Sequence, residues 1–119
     1  MQEATDLHCA LAFKTLIDSF KTNGITQFQS DVDFGEGGLF VTWKKKGRDG
    51  TYGLRGCIGC FNTLPLKEGI VQYAIVAGKE DPRFPPMKER EVADLQLNVP
   101  TGGDARARME HRRYAQGTA

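Results

Sequence analysis

The sequence has few of the features that mark membrane, secreted or disulfide-rich proteins. No stretch approaches the roughly 20 consecutive apolar residues that a transmembrane helix requires, and the polar, acidic start of the chain does not resemble a secretory signal. Three cysteines are too few for a disulfide framework, which favours a reducing compartment. We therefore expect an intracellular protein, in the nucleus or the cytoplasm, with no membrane segment.

The sequence also has few histidines and a net charge close to zero. The two histidines, His8 and His111, stand near opposite ends of the chain, so four zinc ligands cannot be assigned. We expect His8 at the surface, and neither a metal nor a cofactor. The net charge of +1, from 16 basic and 15 acidic side chains, makes nucleic-acid binding unlikely unless a local basic patch supplies it. A chain of 119 residues with 39% apolar and 26% charged residues has the composition of one ordinary globular domain.

Hydrophobic periodicity predicts helices that alternate with short strands. The first helix has apolar residues at steps of three and four, and this stripe places Cys9 in the core. The residues of the stripe are Cys9, Ala10, Phe13, Leu16, Ile17 and Phe20. A run of β-branched and aromatic residues, a polar interval and a second such run predict a β-hairpin. The predicted elements, in chain order, are a helix at 5–21, an irregular connection at 25–38, strands at 39–43 and 52–61 joined by a turn at 44–50, a helix at 65–77 ended by Gly78, a helical turn at 88–93 and a half-buried strand at 95–99.

The sequence changes character after residue 99. Residues 100–119 include two adjacent glycines, four arginines and almost no large apolar residue. Such a composition cannot bury enough apolar surface to offset the entropy of ordering the chain. We therefore assign residues 1–99 to a domain and expect residues 100–119 to form a polar, basic tail that is mobile or at most a frayed helix. This tail could contact an anionic partner.

Most of the candidate chemistry lies around Cys57. Glycines at 56 and 59 flank this cysteine, and Arg55 precedes it by two residues. A guanidinium near a thiol favours the reactive thiolate, and glycine allows another group to approach the backbone closely. Cys57 is therefore a candidate nucleophile or redox thiol, with Arg55 as its activator or as an anion-binding group. No histidine or carboxylate can be assigned as the base.

A structural interpretation of the same stretch remains open. Unreactive cysteines are common in protein cores, so Leu54, Cys57 or Ile58, and Phe61 could fill a buried strand. Cys60 completes a CxxC spacing, but three steps along a strand place Cys57 and Cys60 on opposite faces. A disulfide between them would need a bend, which Gly59 could supply.

Two further segments are candidates for binding. Residues 81–87 contain three prolines, which stiffen the loop and present Arg83 and Phe84 either at the border of a binding site or over a core. The predicted hairpin turn carries four cations, which indicate a nuclear-import signal or a nucleic-acid contact, or only protection of exposed strand ends. These cations are Lys44, Lys45, Lys46 and Arg48.

Three blocks in this order resemble the AMMECR-type domain family, and the similarity covers roughly residues 7–99. The blocks are Phe40-Val41-Thr42-Trp43-Lys44, Leu54-Arg55-Gly56-Cys57-Ile58-Gly59 and Asp81-Pro82-Arg83-Phe84-Pro85-Pro86-Met87. The resemblance implies an α+β fold, a mostly antiparallel sheet with helices packed against it, which fits the predicted element order. The family domain is longer, so we expect an incomplete version of it here. At Cys60 the family usually carries a small residue such as threonine.

What the resemblance implies about function is limited. Family members are intracellular and have no established reaction. Some prokaryotic relatives are associated with a Memo-type, dioxygenase-like protein and a radical S-adenosylmethionine protein, and eukaryotic relatives are linked to the nucleus.

The leading hypothesis is a protein-binding or regulatory module. Its partner would be a protein, with a Memo-type protein possible by family association, and its binding residues would be Gly56, Gly59, Arg83 and Phe84. The alternative is an enzyme that uses Cys57 with Arg55. A weaker alternative is nucleic-acid binding through the basic hairpin turn.

Overall fold

A computed structural model describes residues 6–21, 35–100 and 106–116 of the chain. The elements, in chain order, are α1 (Asp6–Asp18), β1 (Glu36–Lys46), β2 (Tyr52–Pro65), α2 (Leu66–Lys79), a 3-10 helix η1 (Glu89–Asp94), β3 (Leu95–Pro100), β4 (Arg106–Glu110) and α3 (His111–Ala115). The first predicted helix lies mostly within the described residues, whereas most of the predicted connection at 25–38 lies outside them.

The four strands form one antiparallel sheet in the order β2-β1-β3-β4. Trp43 of β1 pairs with Gly56 of β2 on one side and with Leu97 of β3 on the other, and Leu97 in turn pairs with Met109 of β4. The predicted α+β class, with a mostly antiparallel sheet and helices packed against it, is confirmed.

The sheet has an inner face that packs on helices and an outer face on the opposite side. Alternate residues of the strands point inward, so Leu39, Val41 and Trp43 of β1 are fully buried. Helix α2 packs across β1 and β2, and α1 packs against α2, β3 and β4. The indole Nε1 of Trp43 donates to the carbonyl of Ala74 at 3.0 Å, which satisfies the one polar atom of this core side chain.

Several predicted strands and helices were shorter than those in the structure. Strand β1 begins at Glu36, inside the predicted connection, and β2 continues to Pro65. Helix α2 continues through Gly78 to Lys79. A Cβ atom at position 78 would lie 3.0 Å from Leu16 and 3.6 Å from the Trp43 indole, so this glycine serves close helix packing rather than termination.

The prediction of a mobile tail, or at most a frayed helix, is wrong for residues 106–110, which form strand β4, whereas residues 111–115 form the short helix α3. Two side chains explain the difference. Met109 is fully buried, and the half-buried ring of Tyr114 stacks on Phe13 of α1 with ring centroids 5.2 Å apart. The other residues of the predicted tail lie outside the described part, apart from residue 100 at the end of β3.

Helix α1 is more deeply buried than its pattern predicts. Cys9 is in the core as predicted, but Leu11 and Ala12, which lie outside the predicted stripe, are fully buried as well. His8 is only 3% exposed, which corrects its predicted surface position, and burial lowers the pKa of its imidazole.

Within the described residues, no helix combines the length and the apolar character needed to cross a membrane.

Candidate functional site

Arg55 lies at an irregularity in the pairing of β1 with β2. Trp43 pairs with Gly56 and Lys44 pairs with Leu54, so Arg55 has no partner residue in β1. An extra residue of this kind is a β-bulge, which re-aims side chains and increases the local twist. The bulge therefore separates Arg55 from the regular alternation of the strand.

The guanidinium of Arg55 joins β2 to the segment that follows α2. Its Nε and Nη2 atoms donate to the two carboxylate oxygens of Glu91 at 2.8 and 3.0 Å. Nη2 also donates to the carbonyl of Pro85 at 2.9 Å. Arg55 is only 8% exposed, so this is a largely desolvated, bidentate ion pair. None of these bonds involves Cys57, and the activating role of Arg55 stays a prediction.

Glu91 is the centre of this ion-pair cluster. Besides Arg55, it accepts from the Nζ of Lys45 at 3.0 Å and from the backbone N–H of Lys88 at 2.8 Å. The Arg55 guanidinium is the largest influence that lowers the pKa of Glu91, to about 2, with Lys88 and Lys45 assisting against the cost of burial. Glu91 is therefore ionised at neutral pH and holds two strands and η1 together.

Asp81 attaches the loop at residues 81–87 to the free edge of β2. Its Oδ2 accepts from the backbone N–H of Cys57 at 3.1 Å. Arg83 donates to the same carboxylate through its backbone N–H, Nε and Nη2, at 3.0, 3.0 and 2.7 Å. The side-chain and backbone hydrogen bonds from Arg83, with that from Cys57, hold the pKa of Asp81 well below its usual range. Asp81 thus caps an edge amide that would otherwise be open to another strand.

The Cys57 thiol lies on the outer face, where its sulfur is 3.2 Å from the hydroxyl of Thr42. The negative charge of a Cys57 thiolate contributes to raising the pKa of Arg83, after the larger effects of Asp81. The Cys57 thiol therefore lies within electrostatic range of the Arg83 guanidinium. No histidine or carboxylate hydrogen-bonds to the Cys57 sulfur among the residues that the structure describes.

The two cysteines of the CxxC spacing lie on opposite faces of β2, as the period of a strand requires. Cys60 pairs with the fully buried Leu39, so it points inward, and its thiol raises the pKa of Tyr73 on α2 through a hydrogen bond. Cys57 and Cys60 are both free thiols. The straight run of β2 through Gly59 supplies no bend that would bring them together.

Both glycines of the motif lie where a side chain has no room. A Cβ atom at Gly56 would overlap the carbonyl oxygen of Ala77 in α2. A Cβ atom at Gly59 would overlap the ring of Phe40, which crosses the glycine on the outer face. Gly56 therefore allows β2 to pack closely on α2, whereas Gly59 allows the Phe40 ring to pack directly on the β2 backbone.

Aromatic side chains are exposed beside this motif. Phe61 is 89% exposed and meets Phe40 edge to face, with centroids 5.0 Å apart. Leu54 is 44% exposed. The interpretation of this stretch as a buried strand is thus wrong for Leu54 and Phe61, because both side chains point to the outer face of the sheet.

The predicted binding residues Arg83 and Phe84 lie next to this strand. The Phe84 ring is near both guanidinium groups, 5.8 Å from Arg55 and 5.6 Å from Arg83, within the range of cation–π attraction. The side chain of Arg83 remains 57% exposed. The structure therefore brings the strand at 54–59 and the loop at 81–87 together, which sequence spacing alone did not establish.

The predicted hairpin turn was too long, and most of its basic residues lie in a strand. Lys44, Lys45 and Lys46 lie in β1, and Lys45 is bonded to Glu91. Arg48 alone of the four cations is in the turn between the strands. Strand pairing continues to Lys46, which shortens the turn.

A groove of about 440 Å³ lies at the hairpin end of the sheet, and its lining includes neither Arg55 nor Cys57. The two candidate catalytic residues therefore do not share it. No group of three or more His, Cys, Asp and Glu residues is arranged for a metal ion in the part of the chain that the structure describes.

Sequence reasoning missed Glu91 and the anchoring role of Asp81. The signal for Asp81 was present, because an acid two residues before Arg83 in a proline-rich loop can bond to the backbone and to that side chain. Glu91 had no such signal. It meets Arg55 across 36 residues of sequence, and a single sequence does not record this contact.

A model of the AMMECR1 family matches residues 9–106. Uncharacterized protein YOR289W of Saccharomyces cerevisiae is 42% identical over 76 residues, 56% of this chain and 30% of the yeast protein. Uncharacterized protein At2g38710 of Arabidopsis thaliana is 44% identical over 61 residues, 51% of this chain and 28% of the plant protein.

A solved structure has the same fold. The crystal structure of uncharacterized protein PH0010 from Pyrococcus horikoshii matches with a TM-score of 0.70 and 29% identity, over 83% of this chain and 52% of that protein. The chain thus spans about 30% of the length of the curated relatives and half of the solved one. Because the family model matches well over half of the chain, the protein described here belongs to the AMMECR1 family.

Proposed function

We propose that this chain is a protein-binding or regulatory module, and that its binding surface consists of Phe40, Phe61, Leu54, Arg83 and Phe84. We call these five residues the aromatic–arginine surface. We further propose an intracellular setting, in which the free thiols stay reduced. The candidate partner is a Memo-type protein, which the family resemblance implies.

The exposure of Phe61 is the observation that carries the proposal. A phenylalanine side chain that is 89% exposed keeps a large apolar area in water, and here it lies against a second ring. Contiguous exposed apolar surface commonly marks an interaction site. Aromatic and arginine side chains also dominate the energetics of protein interfaces, and Arg83 supplies the cation.

The loop beside the rings is held in place before any partner arrives. Asp81 bonds to the β2 backbone and to Arg83, and Arg55 bonds to the carbonyl of Pro85. Three prolines restrict the loop further. A surface that is already ordered loses less entropy on association, so the same contacts yield higher affinity.

The test is calorimetric titration of the full chain with a purified Memo-type protein. Phe61→Ser and Arg83→Ala should each weaken binding by about 30-fold, the effect of an interface residue worth about 2 kcal/mol. Gln72→Ala, at an exposed position of α2, is the matched control and should bind like the wild type. Arg55→Ala is unsuitable because it removes a buried ion pair. Absent binding, or equal affinity of all variants, would contradict the proposal.

A second candidate function is thiol chemistry at Cys57. The position of this thiol on the outer face of β2, 3.2 Å from the Thr42 hydroxyl and in electrostatic range of the Arg83 guanidinium, favours this hypothesis. The test is alkylation of the folded protein at neutral pH, in the wild type and in Arg83→Ala. Thiol chemistry predicts slower labelling of Cys57 in the variant, whereas unchanged slow labelling in both proteins would count against an enzyme.

A further inference from the structure

The groove at the hairpin end of the sheet brings together two basic segments that are far apart in sequence. Lys46 comes from the end of β1, whereas Arg108 comes from β4 and Arg112 from α3. All three line the same space of about 440 Å³, which is within the size range of small-molecule sites. The antiparallel pairing of β3 with β1 and β4 creates this convergence.

These three cations are available for a ligand. Within residues 6–21, 35–100 and 106–116, none of them forms an ion pair, whereas Lys45, Arg55 and Arg83 each do. Positive charges that line one groove repel one another, and an anion bound among them relieves that repulsion and accepts charge-assisted hydrogen bonds. The cations therefore indicate an anionic group, and a phosphate offers several acceptor oxygens to a guanidinium.

The remaining lining limits the size of that anion. Asp94 and Glu110 carry negative charge into the same groove, and Glu110 already accepts from the Nε2 of Gln96 at 3.2 Å. Two carboxylates would repel a second phosphate, but they accept hydrogen bonds from hydroxyl groups. Tyr52 adds an aromatic ring with a phenolic hydroxyl. A compact molecule with one phosphate and several hydroxyls fits this pattern, and a polyanionic strand does not.

From this arrangement, we infer that the groove binds a small phosphorylated molecule with free hydroxyl groups, of the sugar phosphate or nucleoside monophosphate class. The phosphate lies among Lys46, Arg108 and Arg112, and the hydroxyls face Asp94 and Glu110. This site is separate from the aromatic–arginine surface, since the groove lining shares no residue with it.

The test is titration of the full chain with ribose 5-phosphate and with adenosine monophosphate, followed by calorimetry and by amide chemical shifts. Ribose and adenosine serve as ligands without the phosphate, and a short single-stranded oligonucleotide serves as the polyanion. We expect saturable binding of both phosphates that weakens with salt, no binding of ribose or adenosine, and weaker binding of the oligonucleotide. If adenosine monophosphate alone binds, the ligand class narrows to nucleotides.

Substitutions locate the site. Lys46→Ala and Arg108→Ala should each weaken binding about tenfold or more, since each removes a charge-assisted hydrogen bond. Arg48→Ala is the matched control, because Arg48 is an exposed cation on the same hairpin outside the groove lining, and its loss should have little effect. The proposal is overturned if neither phosphate binds in the millimolar range, if Arg48→Ala weakens binding as much as Arg108→Ala, or if the oligonucleotide binds more tightly than the monophosphates.

Discussion

Replacement of Arg55 by methionine removes the cation that joins β2 to η1 while it keeps most of the apolar stem. The carboxylate of Glu91, whose side chain is 12% exposed, then loses its bidentate partner. Breaking one half of a buried ion pair costs about 3–5 kcal/mol. Here Lys45 remains bonded to the same carboxylate and its side chain is 39% exposed, so some compensation and some solvent screening persist. We therefore expect the free energy of unfolding to fall by about 2–3 kcal/mol.

The pKa of Glu91 supports the same magnitude. It falls from an ordinary value of 4.5 to about 2, and Arg55 is the largest of its causes. At 1.36 kcal/mol per unit, all partners together stabilise the ionised form by about 3 kcal/mol. A small domain has about 5–15 kcal/mol of stability in total, so loss of Arg55 should be readily measurable.

Urea unfolding followed by the fluorescence of Trp43, the single tryptophan, measures this loss. Lys14→Met is the control, because it breaks the more exposed Lys14–Asp18 pair on α1 and should cost only about 0.3–0.5 kcal/mol. A double-mutant cycle of Arg55→Met with Glu91→Leu should show strong coupling. If Arg55→Met costs no more than Lys14→Met, or if the effects of Arg55→Met and Glu91→Leu are additive, the Arg55–Glu91 ion pair does not stabilise the fold to this extent.

Three further predictions concern neighbouring groups. The stabilisation from the lowered pKa of Glu91 is complete above the unfolded-state pKa of 4.5 and is lost as the pH falls towards 2. The difference in the free energy of unfolding between wild type and Glu91→Gln should therefore shrink on acidification. A difference that stays constant with pH would contradict this prediction. Gly56→Ala forces a backbone carbonyl of α2 to move, whereas Gly59→Ala displaces only a side-chain ring. Gly56→Ala should therefore lower the melting temperature more than Gly59→Ala. The reverse order in thermal unfolding would contradict the close packing of Gly56 on α2. Cys57 should react with a small alkylating reagent much faster than the fully buried Cys9, as mass spectrometry of folded protein would show, and equal rates would oppose it.

Local patterns predicted the elements that have strong periodicity. The helices around Phe13 and Ile70, the hairpin, and the strand around Leu97 all follow from apolar spacing, and the structure contains each of them. The end of the chain was missed because its order depends on two side chains, Met109 and Tyr114, that find partners in β3 and α1. The composition of that segment shows arginines and glycines and cannot show these contacts or the pairing of β4 with β3.

The candidate site was predicted only in part, because some of its contacts join residues that are far apart in the sequence. The Cys57 motif and the proline-rich loop stand out within short windows, and a sequence can show them. The bond from Cys57 to Asp81 and the ion pair of Arg55 with Glu91 span 24 and 36 residues, and they depend on the path of the chain after α2. The exposure of Phe61 also required the sheet order, because an aromatic strand residue is buried or exposed according to the face and edge that it occupies.

Photo-crosslinking tests the proposed contact between the aromatic–arginine surface and a Memo-type protein. The most direct measurement replaces Phe61 by a photo-crosslinking phenylalanine analogue and irradiates the chain with that partner. The same analogue at position 72, on exposed helix α2, is the control. If this surface binds the partner, we expect a covalent adduct from position 61 that is lost with Arg83→Ala, and none from position 72. No adduct from position 61, or equal adducts from both positions, would contradict it.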